Sequence, residues 1–307
     1  MTTTISARAV ADATVRLRAA GCVFAEDEAA VLSASAVGED ALSVLVGRRA
    51  AGEPLEQVVG YADFCGVRVF LRPGVFVPRM RSGLLVHIAA EAARHIAAEA
   101  AGQGAAEAAS QDAEETGGQN DAEAENRSGP ETRGRDAGTA RAPVVVDLCC
   151  GSGALGAAVA RRVPTVVLHA TDLDPVAVAC ARDNLTGVGT VHQGDLYAAL
   201  PAELRGRVDV LIANVPYVPT GHLPFLPAEA RLHEAPMALD GGGDGLEVFR
   251  AVVAEAAQWL APGGVLLSEV TAAQSEAAQR IVRAGGLRAG ACHDDDAEST
   301  AVTARRG

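Results

Sequence analysis

The 307-residue sequence contains no lysine; all 26 of its Lys-or-Arg positions are arginine. We read that as a compositional bias and not as a functional signal. Aromatic residues make up only 3% of the chain, so its core must be built mostly from Val, Leu and Ala. Six cysteines are present, but no two stand in a Cys-x-x-Cys pair, which argues against a zinc or thioredoxin-type site, and no metal is expected. No apolar run has the length a bilayer span requires. The opening MTTTISARAVADA lacks the apolar stretch of a secretory signal. These absences predict a reduced, cytoplasmic protein with no membrane partner.

What is present is sufficient for a large core: 49% of residues are hydrophobic, which excludes wholesale disorder. The formal charge of −13 is uneven. Residues 98–142 carry ten acidic side chains and four arginines and contain no Val, Ile, Leu, Met, Phe, Trp or Tyr. Such a segment buries too little apolar surface to offset its ordering entropy, so we expect 98–142 to be a disordered acidic insertion. Neither it nor the remainder offers the basic surface that binding to nucleic acid needs, so no direct nucleic-acid contact is expected.

Residues 1–60 read as a small helical module, with Val10, Val15 and Leu17 on one stripe and further helices over Glu26–Ala36 and Glu39–Arg49. Over 61–97 the period changes. Val67 and Val69, then Val75 and Val77, flank Arg72-Pro73-Gly74, which predicts a hairpin, followed by a helix from about Gly83 to Ala97. From 143 to 307 strand and helix patterns alternate and end in a pair of strands over Gly286–Arg306, which predicts a mostly parallel sheet covered on both faces.

Two motifs carry chemistry. In Asp147-Leu-Cys149-Cys150-Gly151-Ser152-Gly153-Ala-Leu-Gly156, glycines sit at a strand-to-helix turn, where a ligand can approach the backbone and the helix N-terminus. Asp172 follows Gly151 by 21 residues, at the end of the next strand, where its carboxylate can accept both hydroxyls of a ribose. This spacing also suits a dinucleotide. Asp147, just before the glycines, would repel a pyrophosphate but tolerate the amino group and sulfonium of S-adenosylmethionine, and so favours the methyl donor over NAD. Asp195, followed by Leu196, comes after a third strand; it either accepts from the adenine amino group or caps a helix. The second motif is Asn214-Val215-Pro216-Tyr217, directly after the strand Val208–Ala213. An amide nitrogen is a poor nucleophile. Acceptors at the Asn214 side chain and the Val215 carbonyl would hold both its N–H bonds and aim it at a methyl group.

With these motifs, the chain resembles the release-factor glutamine N5-methyltransferases over most of its length outside 98–142. Further segments match in order and spacing: Gly52-Glu-Pro-Leu-Glu-Gln-Val-Val-Gly60-Tyr-Ala-Asp-Phe-Cys-Gly66, Pro73-Gly74-Val-Phe-Val-Pro78-Arg79, and Glu234-Ala-Pro-Met-Ala-Leu-Asp-Gly-Gly-Gly-Asp244-Gly245-Leu246. The resemblance implies an α/β fold: a seven-stranded, Rossmann-like class I methyltransferase domain, a small helical N-terminal domain for substrate recognition and a connecting β-hairpin. It implies S-adenosyl-L-methionine as cofactor and, as partner and substrate, a peptide chain release factor methylated at the glutamine of Gly-Gly-Gln, by an enzyme read as a monomer. Residues 149–153 would line the methionine part of the donor and Asp172 its ribose. Asn214, Val215, Pro216 and Tyr217 would clamp the glutamine. The sequence departs from the family pattern at Val215, which replaces a proline, at Cys149-Cys150, which replace Gly and Thr, and at Met80-Arg81-Ser82. Gly117-Gly118-Gln119 repeats the substrate tripeptide inside the insertion. Two other readings are an N6-adenine nucleic-acid methyltransferase, disfavoured by the charge, and a donor-binding regulatory protein.

Overall fold

The computed structural model of the protein describes residues 5–116 and 141–307, apart from the side chains of 101–116. Three helices, α1 (Ala7–Ala19), α2 (Ala25–Ser35) and α3 (Glu39–Ala50), pack around Leu17, Leu32, Leu42 and Val46. Within α1, Ala13 and Leu17 form the buried stripe, while Val15 is 65% exposed, against the expected stripe. It lies two residues from Leu17, about 200° around the helix at 3.6 residues per turn. A short α4 (Leu55–Val59) leads to the hairpin strands β1 (Tyr61–Phe64) and β2 (Val67–Phe70), which pair antiparallel.

The hairpin turn is Cys65-Gly66 and not the expected Arg72-Pro73-Gly74. Both residues have positive φ (48° and 88°), the two-residue geometry whose twist matches the flanking strands. Arg72-Pro73-Gly74 does turn, with the Val75 N–H donating to the Arg72 carbonyl at 3.1 Å, but it releases an extended run and starts no ladder.

Helix α5 (Gly83–Thr116) is longer than expected. Residues 98–116, assigned from composition to a disordered insertion, continue the helix. They are dominated by Ala, Glu and Gln, residues of high helix propensity. Residues 117–140 of that expectation, with Gly117-Gly118-Gln119, lie outside the described residues, and at its end Arg141 pairs with Asp209.

The remaining chain runs β3 (Val144–Leu148), α6 (Ala154–Arg162), β4 (Val167–Asp172), α7 (Pro175–Asn184), β5 (Gly189–Gln193), β6 (Val208–Ala213), α8 (Ala228–His233), α9 (Glu247–Trp259), β7 (Leu260–Val270), α10 (Ser275–Ala284), β8 (Arg288–Asp294) and β9 (Ser299–Arg305). The sheet is the expected seven-stranded one, in the order β5-β4-β3-β6-β7-β9-β8, with β3 to β7 parallel and β9 antiparallel to both neighbours. Successive residues of β6 serve opposite faces. Val210 and Ile212 join a core with α5 and α6, and Leu211 and Ala213 join one with α9 and α10. The chain begins at central β3, builds outward to β5, then returns to β6 on the other side. That reversal opens a crevice at the carboxyl ends of β3 and β6, where open parallel sheets bind ligands.

Among the described residues no helix is long and apolar enough to cross a membrane, and no group of three His, Cys, Asp or Glu side chains is placed to hold a metal.

Candidate active site

The crevice is a cavity of about 470 Å³ that brings both motifs together. Leu148 pairs with Ala213, so the turn that starts at Cys149 lies beside Asn214. Cys149, Cys150, Gly151, Ser152, Asp172, Asp195, Leu196, Asn214, Val215, Pro216 and Tyr217 all line the cavity.

The glycine turn alternates left-handed positions at Cys149 (φ 55°), Gly151 (φ 56°) and Gly153 (φ 77°). A cysteine in that region costs about 1 kcal/mol relative to glycine. A Cβ at Gly151 would meet no protein atom within 4 Å. The bare backbone there leaves the cavity floor open to a ligand. Gly153 faces away from the cavity, packed toward Leu185 and Ala181.

Asp172 closes the turn from the side. One carboxylate oxygen accepts from the Gly151 N–H at 2.8 Å and the other from the Asp174 N–H at 2.9 Å, leaving lone pairs on both for the cavity. Burial raises its pKa against the pull of these backbone donors. Asp195 makes no side-chain cap bond to the turn it precedes, so of its two sequence readings the capping one has no hydrogen bond behind it.

Asp147 does not line the cavity. It is buried under the turn, where it accepts from the Gly156 N–H at 2.9 Å and so ties α6 to β3; its second oxygen has no partner. The expected contact with a cationic ligand is thus replaced by a backbone tie. Burial pushes its pKa up to about 7 against that N–H, and the Asp172 charge adds to the rise. Between about pH 4, where the unfolded side chain ionises, and about pH 7, the folded protein holds a proton that the unfolded chain has lost. Stability therefore falls as pH rises through this window, by about 1.4 kcal/mol per unit at most. We expect Asp147→Asn to flatten that decline, measured as denaturant unfolding of both proteins at about pH 5 and about pH 8. Parallel curves for the two proteins would refute the assignment.

Asn214 leaves the end of β6 with its Nδ2 donating to the Ser82 Oγ at 3.3 Å and its buried Oδ1 without a partner. Val215 is 2% exposed and packs into the α9-side core, so side-chain burial restrains a backbone position that lacks the proline ring. The Gly-rich loop closes behind the motif. A Cβ at Gly241 would come within 2.7 Å of the Pro216 carbonyl, and one at Gly245 within 2.3 Å of the Tyr217 carbonyl. The Tyr217 hydroxyl donates to Glu269 at 2.7 Å and accepts from Arg81 at 2.7 Å. Burial pushes its pKa up to about 12, so it acts as a tether and not as a base near neutral pH.

Sequence reading missed Ser82, Glu269, Arg79 and Glu234 as site residues. Glu234 is buried behind the cavity wall, where it accepts from the Val77 N–H at 3.2 Å and from Arg79, which lines the cavity, at 2.6 Å. Gln57 donates to the carbonyls of Val75 and His233, both at 3.1 Å. The segments 52–66, 73–79 and 234–246 thus meet around one opening. Their shared matches to one family were the signal available in sequence. For Glu269, in the middle of an apolar strand pattern, the isolated charge was the only signal.

A family model described as "Methyltransferase small domain" matches residues 137–250. The chain is 35% identical to a 4-amino-L-phenylalanine/4-methylamino-L-phenylalanine methyltransferase of Streptomyces pristinaespiralis, over 78% of this chain and 69% of that protein. It is 31% identical to a release factor glutamine methyltransferase of Moorella thermoacetica, over 78% and 70%. Over a shorter stretch, 41% of this chain and 44% of the relative, it is 42% identical to a ribosomal protein uL3 glutamine methyltransferase of Burkholderia pseudomallei.

Proposed function

The chain belongs to the release factor glutamine methyltransferase family, and from that premise we propose that it methylates the side-chain nitrogen of the Gly-Gly-Gln glutamine of a peptide chain release factor. The observation that carries this reading is the buried, unpartnered Oδ1 of Asn214, a residue that lines the cavity beside the glycine turn. A primary amide presents two N–H bonds, and the Asn214 oxygen and the Val215 carbonyl are the acceptors for them.

The residues fit S-adenosylmethionine as donor. Open backbone at Gly151 receives the methionine portion, Asp172 the ribose hydroxyls, and Asp195 with Leu196 the adenine edge. Two carboxylates on this side suit a cationic ligand. When bound, the donor would supply an electrophilic methyl on a sulfonium: the carbon–nitrogen bond would form as the carbon–sulfur bond breaks to a thioether, and the methylated amide would release one proton to solvent as it leaves the site. The protein's share is positioning. Asn214 and Val215 hold the two amide N–H bonds and aim the nitrogen, and Phe76, Leu226 and Met237 supply apolar wall beside it. We place residues 1–60 in recognition of the protein substrate, since Arg49 of α3 pairs with Glu229 on α8, at the cavity opening, at 2.6 Å.

The test is methyl transfer from labelled donor to purified release factor, with a Gln→Ala release factor, DNA, RNA and 4-amino-L-phenylalanine as parallel acceptors. Label confined to the Gly-Gly-Gln peptide is expected. Donor binding by calorimetry without any transfer to release factor would overturn the reading, and label on the aromatic amine alone would move the enzyme to small-molecule N-methylation.

A further inference from the structure

Resting on that reading, we propose that Ser82 is a positioning residue that decides which end of the Asn214 amide faces the substrate. Glu269 is 2% exposed at the carboxyl end of β7 and has only acceptors to offer as the ion-pair partner of Arg81. One of its oxygens accepts from the Arg81 Nε and the Tyr217 hydroxyl, both at 2.7 Å; the other accepts from the Ser82 hydroxyl. Ser82 has one proton, and Glu269 takes it. The Ser82 oxygen is left as an acceptor only, so the group that approaches it at 3.3 Å must be the Asn214 NH2. The Asn214 oxygen is then the end turned away from Ser82, buried and without a protein partner, on a residue that lines the cavity.

The reversed amide would set two acceptors, Asn214 Oδ1 and Glu269, against one Ser82 proton. It would also point an NH2 at the NH2 of a glutamine, donor against donor. The proton order Ser82 to Glu269 and Asn214 to Ser82 thus makes the site an acceptor. Ser82 is 2% exposed, just ahead of α5, and reaches the clamp across the chain, from 132 residues away.

In Ser82→Ala the amide is free to turn. We expect kcat for the release factor to fall about tenfold, because part of the population presents the wrong end and the rest is loosely held. Donor affinity by calorimetry should stay within about twofold, and Ser82→Thr, which keeps the hydroxyl, should recover most of the rate lost in Ser82→Ala. In an Asn214→Ala background, Ser82→Ala should cause no further loss, since a residue acting through Asn214 has nothing left to act on. Should Ser82→Ala fail to fold, Ser82→Cys keeps the volume with a poor acceptor and carries the same expectations. The side-chain 15NH2 pair of Asn214, identified by its absence in Asn214→Ala, should shift in Ser82→Ala in the substrate-free protein. Wild-type transfer with an undiminished Ser82→Ala rate, or with losses that multiply in the double variant, would overturn this inference and leave the proposed function standing. If the wild type transfers nothing to glutamine, the proposed function fails, and the amide pair decides this inference alone: shifted supports it, unmoved refutes it.

Discussion

Asn214→Ala lowers the rate of methyl transfer by about a hundred- to a thousandfold while donor affinity stays within about twofold, in the expected outcome. The size follows from what the side chain supplies. It is an acceptor already aimed and already stripped of water, whose formation costs no reorganisation when the nitrogen turns toward the methyl group. Its oxygen is buried without a protein partner, so the site carries the cost of an unsatisfied acceptor until an N–H arrives. In the proposed reading the donor is held by other groups that line the cavity, the turn at Gly151 and the Asp172 carboxylate, so its affinity should be nearly untouched. Single-turnover transfer and calorimetry on the same preparation separate the two quantities. Asn214→Asp is a sharper probe. It keeps an oxygen in the cavity but puts another against Ser82, whose proton is committed to Glu269, so it too should lose most of the rate. A variant at Asn214 that kept full rate would remove the clamp from the mechanism.

Asp172→Ala weakens donor binding by about 1–3 kcal/mol, roughly fivefold to more than a hundredfold, as the second large effect. Two losses combine. The ribose loses its carboxylate partner, and the N–H groups of Gly151 and Asp174 lose their acceptor, so the turn itself loosens. Asp172→Asn keeps one acceptor oxygen and should fall between the two. The carboxylate must be ionised to accept from both hydroxyls. Because burial raises its pKa, donor affinity should weaken as pH drops toward that raised value and recover above it. Calorimetric titrations across the acidic range check the sign. Equal donor affinity in wild type and Asp172→Ala would show that the ribose lies elsewhere.

Most of the parallel strands and the two chemical motifs were legible because their signals are local. A run such as Val208–Ala213 is apolar at every position because it is buried on both faces, and a glycine turn and an Asn-x-Pro-Tyr follow such runs directly. The hairpin was misplaced by a rule of equal strength. Arg72-Pro73-Gly74 is a good turn by composition, but Cys65-Gly66, with an unexpected left-handed cysteine, has the twist that pairs strands. The extension of α5 to Thr116 shows the converse. A segment without large apolar residues reads as disordered by composition, yet its alanines and glutamates are strong helix formers and the helix continues through them.

From the sequence alone came the fold class, the pairing of a glycine turn with a carboxylate 21 residues on, and the presence of an Asn-x-Pro-Tyr motif at a strand end. Each is a pattern in neighbouring residues, so it is written where the chain can be read. Only the tertiary structure decided the work of the buried carboxylates. Asp147, which the sequence offered for a cationic ligand, is held under the turn by one backbone N–H. Glu269, 187 residues from Ser82 in the chain, receives the proton that leaves the serine an acceptor. The direction of a hydrogen bond depends on what else competes for the same proton, and those competitors are brought together by folding, not by sequence spacing.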